Sequence, residues 1–113
     1  MKPLVGLAVC LLVSSANAAD TVSTETIAMW DKHCASCHAK DGSGDTKMGK
    51  KANVKDYRDP KVQSEMKDDK AVSVIKEGLK ENGMVRMKPF ADKLTDAEIK
   101  TLIAYMRTFK KAN

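Results

Sequence analysis

Aromatic residues are scarce in this sequence, with two Phe, two Tyr and one Trp among 113 residues. So few large rings leave the polypeptide alone with little bulk to fill a core. Strand-like alternation is missing throughout, and the expected fold class is all-α. No internal repeat or low-complexity run is present. Beyond the N-terminal stretch, no apolar run is long enough to cross a bilayer. Charge is not segregated by sign either: 20 Lys and Arg are interleaved with 15 Asp and Glu, for a net +5. That argues against nucleic acid as a partner. The length is that of one small domain.

Residues 1–18 form a compositional unit of their own. Lys2 opens it, Leu4 to Val13 is apolar, and Ala16-Asn17-Ala18 is a small-residue box. This pattern is that of a secretory signal peptide cleaved after about Ala18, leaving residues 19–113 as the exported domain. Cys10 reads as an ordinary apolar residue of the leader, because bulky Val9 stands where a lipid-modification signal wants a small one. In a bacterial cell the expected location is the periplasm.

The two remaining cysteines stand in Cys34-Ala35-Ser36-Cys37-His38. On a helical turn, positions i and i+3 share a face, so both sulfurs can meet one porphyrin edge, with the imidazole beside them. A thioredoxin-type pair would need a βαβ context. A structural zinc site would need four ligands, and only His33 and Cys10 are left to supply the others. A Cys34–Cys37 disulfide leaves His38 without a role. Covalent attachment of a haem through Cys34 and Cys37, with His38 as an iron ligand, accounts for all three residues.

Around this motif the chain reads as helices and loops. Ser23 or Thr24 caps a first helix, on which Ile27, Trp30 and Cys34 share a face and Trp30 is a core aromatic. Lys40 to Asp45 is a glycine-rich turn, and 46–58 is a loop along one side of the haem. In it, Tyr57 is a candidate hydrogen-bond donor to a haem propionate. Asp59-Pro60 starts a short helix to about Met66. Asp68 or Asp69 caps the next, with a stripe of Ala71, Val72, Ile75 and Leu79, and Met84 to Phe90 follows as a loop. Thr95 and Glu98 form a capping box on a last helix carrying Ile99, Leu102, Ile103, Met106 and Phe109.

A six-coordinate iron needs a ligand opposite His38. His33 lies on the tethered side, and lysine would have to lose a proton at some cost near neutral pH. A methionine thioether is left, soft and neutral. Of seven methionines, Met87 is the choice, because Pro89 stiffens its loop; Met84 is the alternative.

With these residues in hand, the chain resembles the class I c-type cytochromes, small soluble monohaem proteins. The resemblance rests on Cys34 to His38, on Met87-Lys88-Pro89-Phe90 and on the Leu94 to Phe109 helix. It implies three to four helices wrapped around one covalently bound haem c, with the first and last helices crossing. Trp30, Leu102 and Tyr105 match further family positions. Thr26 departs from the small residue expected where those helices touch, and the proline whose carbonyl receives the histidine N–H has no counterpart.

His38 and Met87 together leave no open coordination position, so the expected function is carriage of one electron, with no enzymatic activity and no small-molecule substrate. Lys47, Lys50, Lys51, Lys80, Arg86 and Lys88 are expected to steer larger redox proteins with acidic docking surfaces toward a monomer. The competing reading is a small peroxidase or gas binder with a displaceable Met87. That reading lacks a distal histidine or a suitably placed arginine.

Overall fold

The computed structural model describes residues 1–3, 6, 10 and 22–112. The expected cleavage point at Ala18 lies outside the described residues.

Helix α1 spans Thr24–His33, started by the Ser23 hydroxyl accepting from the Thr26 N–H at 3.2 Å, with Glu25 in its positive first turn. It buries Thr26 and Trp30. The Thr26 hydroxyl is satisfied locally by Ser23 Oγ at 2.8 Å. Helix α2, Ala35–His38, is a single turn beyond Cys34 and ends at Ala39, whose φ of 65° is unusual for a residue with a Cβ. The Trp30 indole N–H donates to the Ala39 carbonyl at 2.9 Å, which holds that turn against the first helix.

The segment expected as a plain loop contains helix α3, Lys47–Ala52, capped by Thr46 and closed by Asn53 in the left-handed region. Six residues make fewer than two turns, too few for an apolar period to show in sequence. Helix α4, Pro60–Glu65, begins as its Asp59-Pro60 start predicts, with the Asp59 carboxylate accepting from the Lys61 N–H at 2.8 Å. Helix α5, Asp68–Glu77, has Lys67 at its N-cap; Asp68 and Asp69 stand in the first turn, where they favour the helix dipole, and neither caps it.

One element contradicts the expectation of no strands. Strands β1, Leu79–Glu81, and β2, Met84–Met87, pair antiparallel as a hairpin with an irregularity between Leu79 and Lys80. Its turn is Asn82-Gly83, both at positive φ (51° and 75°), the geometry that matches strand twist. Strands of three and four residues are too short for alternation to register, but the Asn-Gly pair was a legible signal. The expected late loop is thus half strand.

Helix α6, Asp96–Arg107, carries the expected capping box, with both the Thr95 and Glu98 side-chain bonds formed. It buries Ile99, Leu102, Ile103 and Met106. These join Trp30, Phe90 and Leu94 in one core. Both α1 and α5 pack on α6, and the Trp30 ring meets Tyr105 edge-on at 5.8 Å and Phe109 at 5.1 Å. Among the described residues the fold is therefore helical, six helices with one small hairpin.

A polar hub ties α6 to α4. Gln63, only 4 % exposed, donates from Nε2 to the Tyr57 carbonyl at 2.6 Å and the Met106 carbonyl at 2.8 Å. Arg107 donates to the Gln63 and Met66 carbonyls and pairs with Asp68 at 2.6 Å. A buried amide satisfied in this way fixes register, because each lost partner would leave a desolvated polar group.

Candidate functional site

The helices and hairpin enclose a cavity of about 450 Å³, within the range of roughly 300–1,000 Å³ usual for small-molecule and cofactor sites. Cys34, Cys37, His38 and Met87 all line it. Apolar side chains supply most of the remaining wall: Val54, Val62, Ala71, Val74, Ile75, Leu79, Phe90, Leu94, Leu102 and Met106. Tyr57 and Met66 also reach it.

The thiols and the imidazole are delivered by the α1–α2 junction. Backbone bonds from Cys37 N–H and His38 N–H to the Cys34 carbonyl, at 3.2 and 2.9 Å, close the turn that gathers them. Gly49 lets α3 approach this turn so closely that a Cβ there would collide with the Cys37 carbonyl. Thr46 Oγ1 donates to that same carbonyl at 2.7 Å. The His38 ring is flanked by Trp30 at 5.8 Å and Tyr57 at 5.6 Å.

Burial sets the protonation states. It lowers the His38 pKa, which keeps the imidazole neutral and able to donate a lone pair. The Cys34 thiol is pushed up to about 12, by desolvation first and by Cys37 second. Burial likewise raises the Tyr57 phenol, so it stays a hydrogen-bond donor. One atom of His38 stands out: Nδ1 is buried and has no hydrogen-bond partner among the described residues. Metal-bound histidines almost always donate from the second ring nitrogen. Downstream of the motif, the Ala39 carbonyl accepts from Trp30 and the Gly42 carbonyl from Tyr57 N–H at 2.8 Å.

Met87 reaches the cavity from the end of β2. Its neighbour in space is Gly78, where an added Cβ would lie 2.6 Å from the Met87 carbonyl. After it, Phe90 N–H and Ala91 N–H donate to the Ile75 and Lys76 carbonyls at 2.9 and 3.2 Å, sewing the chain onto the last turn of α5. Met84 does not line the cavity and is 55 % exposed; Met48 is exposed to the same degree. His33 packs its ring against Phe90 at 5.8 Å and is not part of the cavity wall.

Among the wall residues that sequence reasoning did not single out for the site are Met66, Met106 and Arg86. Met66, expected at the end of a short helix, and Met106, expected on the last helix, bring two further thioethers to the wall. Arg86 was expected on the exposed docking surface, together with the lysines, and no arginine was expected near the site. It is only 27 % exposed, and it lines the cavity beside Glu81. Lys47, Lys50, Lys51, Lys80 and Lys88 are exposed as expected.

The donor set suits a covalently bound haem: two thiols on one turn, an imidazole held neutral by burial, and a thioether, all on an apolar cavity. Comparison with known proteins leads the same way. The family model described as Cytochrome c matches residues 25–110. Among solved structures, the c-type cytochrome KustC0563 is 31% identical, with a TM-score of 0.66, covering 76% of this chain and 98% of that one. A tyrosine-to-phenylalanine variant of that protein gives 32% identity and a TM-score of 0.64, over 75% of this chain and 98% of its own. No curated protein sequence matches the chain.

Proposed function

Since the chain belongs to the cytochrome c family, and so carries a covalently bound haem c, we propose that it is an exported one-electron carrier with His38 and Met87 as the axial ligands. In this reading Cys34 and Cys37 form the thioether links. The haem, when bound, supplies a one-electron couple. The chain's own residues would do the rest: His38, kept neutral by burial, and Met87, braced by Gly78 and by the Phe90 and Ala91 backbone bonds, would hold the iron. The wall is mostly apolar, which suits a bound haem. Family members are in general electron carriers, in keeping with a non-enzymatic role.

One observation carries the ligand pair: of the two methionines in the segment between Gly83 and Pro89, Met87 reaches the cavity that Cys34, Cys37 and His38 line, and Met84 does not. The visible spectrum tests it. The oxidised protein is expected to show low-spin iron with a thioether charge-transfer band, and Met87→Ala abolishes that band. A band that persists without Met87, or a high-spin wild type, overturns the assignment. Arg86 in the cavity is the observation that favours the peroxidase alternative; peroxide turnover by the wild-type protein would support it.

Export belongs to the same proposal, supported by the leader composition of residues 1–18. An exported protein beginning at Ala19 is its mark, and an intact N-terminus rejects it. Among the described residues, no helix is long and apolar enough to cross a membrane. The partners proposed are larger redox proteins, periplasmic or membrane-bound, that present acidic surfaces to the exposed lysines.

A further inference from the structure

Among the described residues, two buried side-chain nitrogens have no hydrogen-bond partner: His38 Nδ1 and Arg86 Nε. The second is the more informative. Arg86 stands one residue before Met87 on β2, lines the cavity, and is largely covered. Its nearest carboxylate is that of Glu81 on the paired strand, 3.7 Å from Nε. That separation gives a charge interaction but is too long for a hydrogen bond. A guanidinium carries five N–H donors in a rigid fork matched to a carboxylate, and a buried donor left empty is costly. The surroundings therefore fit a second carboxylate, one that enters from the cavity.

We propose that Arg86 holds a propionate of the haem that the preceding section assigns to this cavity, and so anchors the hairpin that carries Met87. The proposal rests on that reading for the presence of the haem, not on the identity of the sixth ligand. Glu81 opposes it on the neighbouring strand and orients the fork as a positioning residue; the propionate supplies the charge-assisted hydrogen bonds that Glu81 is too distant to make. The turn at Asn82-Gly83 fixes the two strands in register, so propionate contact and methionine placement are set by one small element. The role differs from partner steering, in which Arg86 would have to face outward, as Lys80 does on the paired strand.

The test uses the haem-loaded protein and four forms: wild type, Arg86→Gln, Arg86→Lys and Lys80→Gln. Resonance Raman reads the propionate bending mode, and a redox titration reads the midpoint potential. Arg86→Gln is expected to shift the propionate mode and to move the reduced-to-oxidised ratio about tenfold toward oxidised, about 59 mV for one electron. The direction follows because removing a cation near the haem favours the more positive, oxidised state. Arg86→Lys keeps the charge but loses the fork, so it shifts the mode with a smaller change in potential. It also serves should the glutamine variant not assemble. Lys80→Gln removes the same charge from the exposed strand and leaves the mode unchanged. A propionate mode identical to wild type in both Arg86 variants overturns the proposal, as does an equal shift in Lys80→Gln. Failure of the methionine assignment would instead appear as a missing thioether band in the wild type, with the propionate mode still readable.

Discussion

At the scale of single residues, the site divides by sequence distance. Cys34, Cys37 and His38 are legible because their chemistry is local: one helical turn brings them together whatever the rest of the chain does. Met87 was chosen by elimination, with Pro89 as its mark, and it lines the cavity. Arg86 is not, because nothing in a lone arginine tells a buried fork from a surface charge. The Cys34 thiol offers a further expectation at this scale. Its pKa in the fold, about 12, lies above the ordinary value of 9.0. The protonated form therefore favours folding, and the contribution is fully present below about pH 9 and lost as pH rises through 12. Chemical denaturation of the haem-free chain should show stability falling across that window. A Cys34→Ala variant should show a shallower fall, and identical slopes for the two would discount the effect. In the haem-loaded protein, where the proposal makes this sulfur a thioether, the Cys34 contribution is absent.

At the scale of elements, the terminal helices were readable from caps and apolar spacing, since each is ten residues or longer. Helix α3 and the hairpin were not, because six-residue and three-residue segments fall below the length at which periodicity speaks. The hairpin nonetheless governs the ligand side of the cavity. Its entry at Gly78, with φ of 78° and the Met87 carbonyl where a Cβ would go, is the point most sensitive to change. Gly78→Ala is expected to cost roughly 1–3 kcal/mol and to displace Met87. Thermal titration of the thioether band checks this: the band should vanish at a lower temperature than in the wild type, ahead of helix loss by circular dichroism. Simultaneous loss of both signals at the wild-type temperature would count against it.

At the scale of the whole molecule, the scarcity of aromatic residues and the enclosed cavity are two views of one arrangement. Trp30, Tyr105 and Phe109 form one group between α1 and α6, Phe90 completes the core, and Tyr57 lines the cavity. The remaining apolar wall is of a kind that a haem would cover. Outside it, the lysines at 47, 50, 51, 80 and 88 are exposed. The attraction proposed between them and an acidic redox protein would be screened within a Debye length of about 8 Å at 0.15 M salt. Stopped-flow association should therefore slow steeply as salt is added, and a rate independent of ionic strength would remove the steering role. The hub at Gln63 and Arg107 was beyond sequence reasoning, since it joins positions more than forty residues apart. Most of its bonds end on main-chain carbonyls, those of Tyr57, Gln63, Met66 and Met106. A carbonyl is offered by every amino acid, so the tie itself places no demand on which side chains stand at 57, 66 and 106. What stands at those positions is set by the core and the cavity instead, while the side chains that keep the wall attached are those of Gln63 and Arg107, with Asp68 as the ion-pair partner.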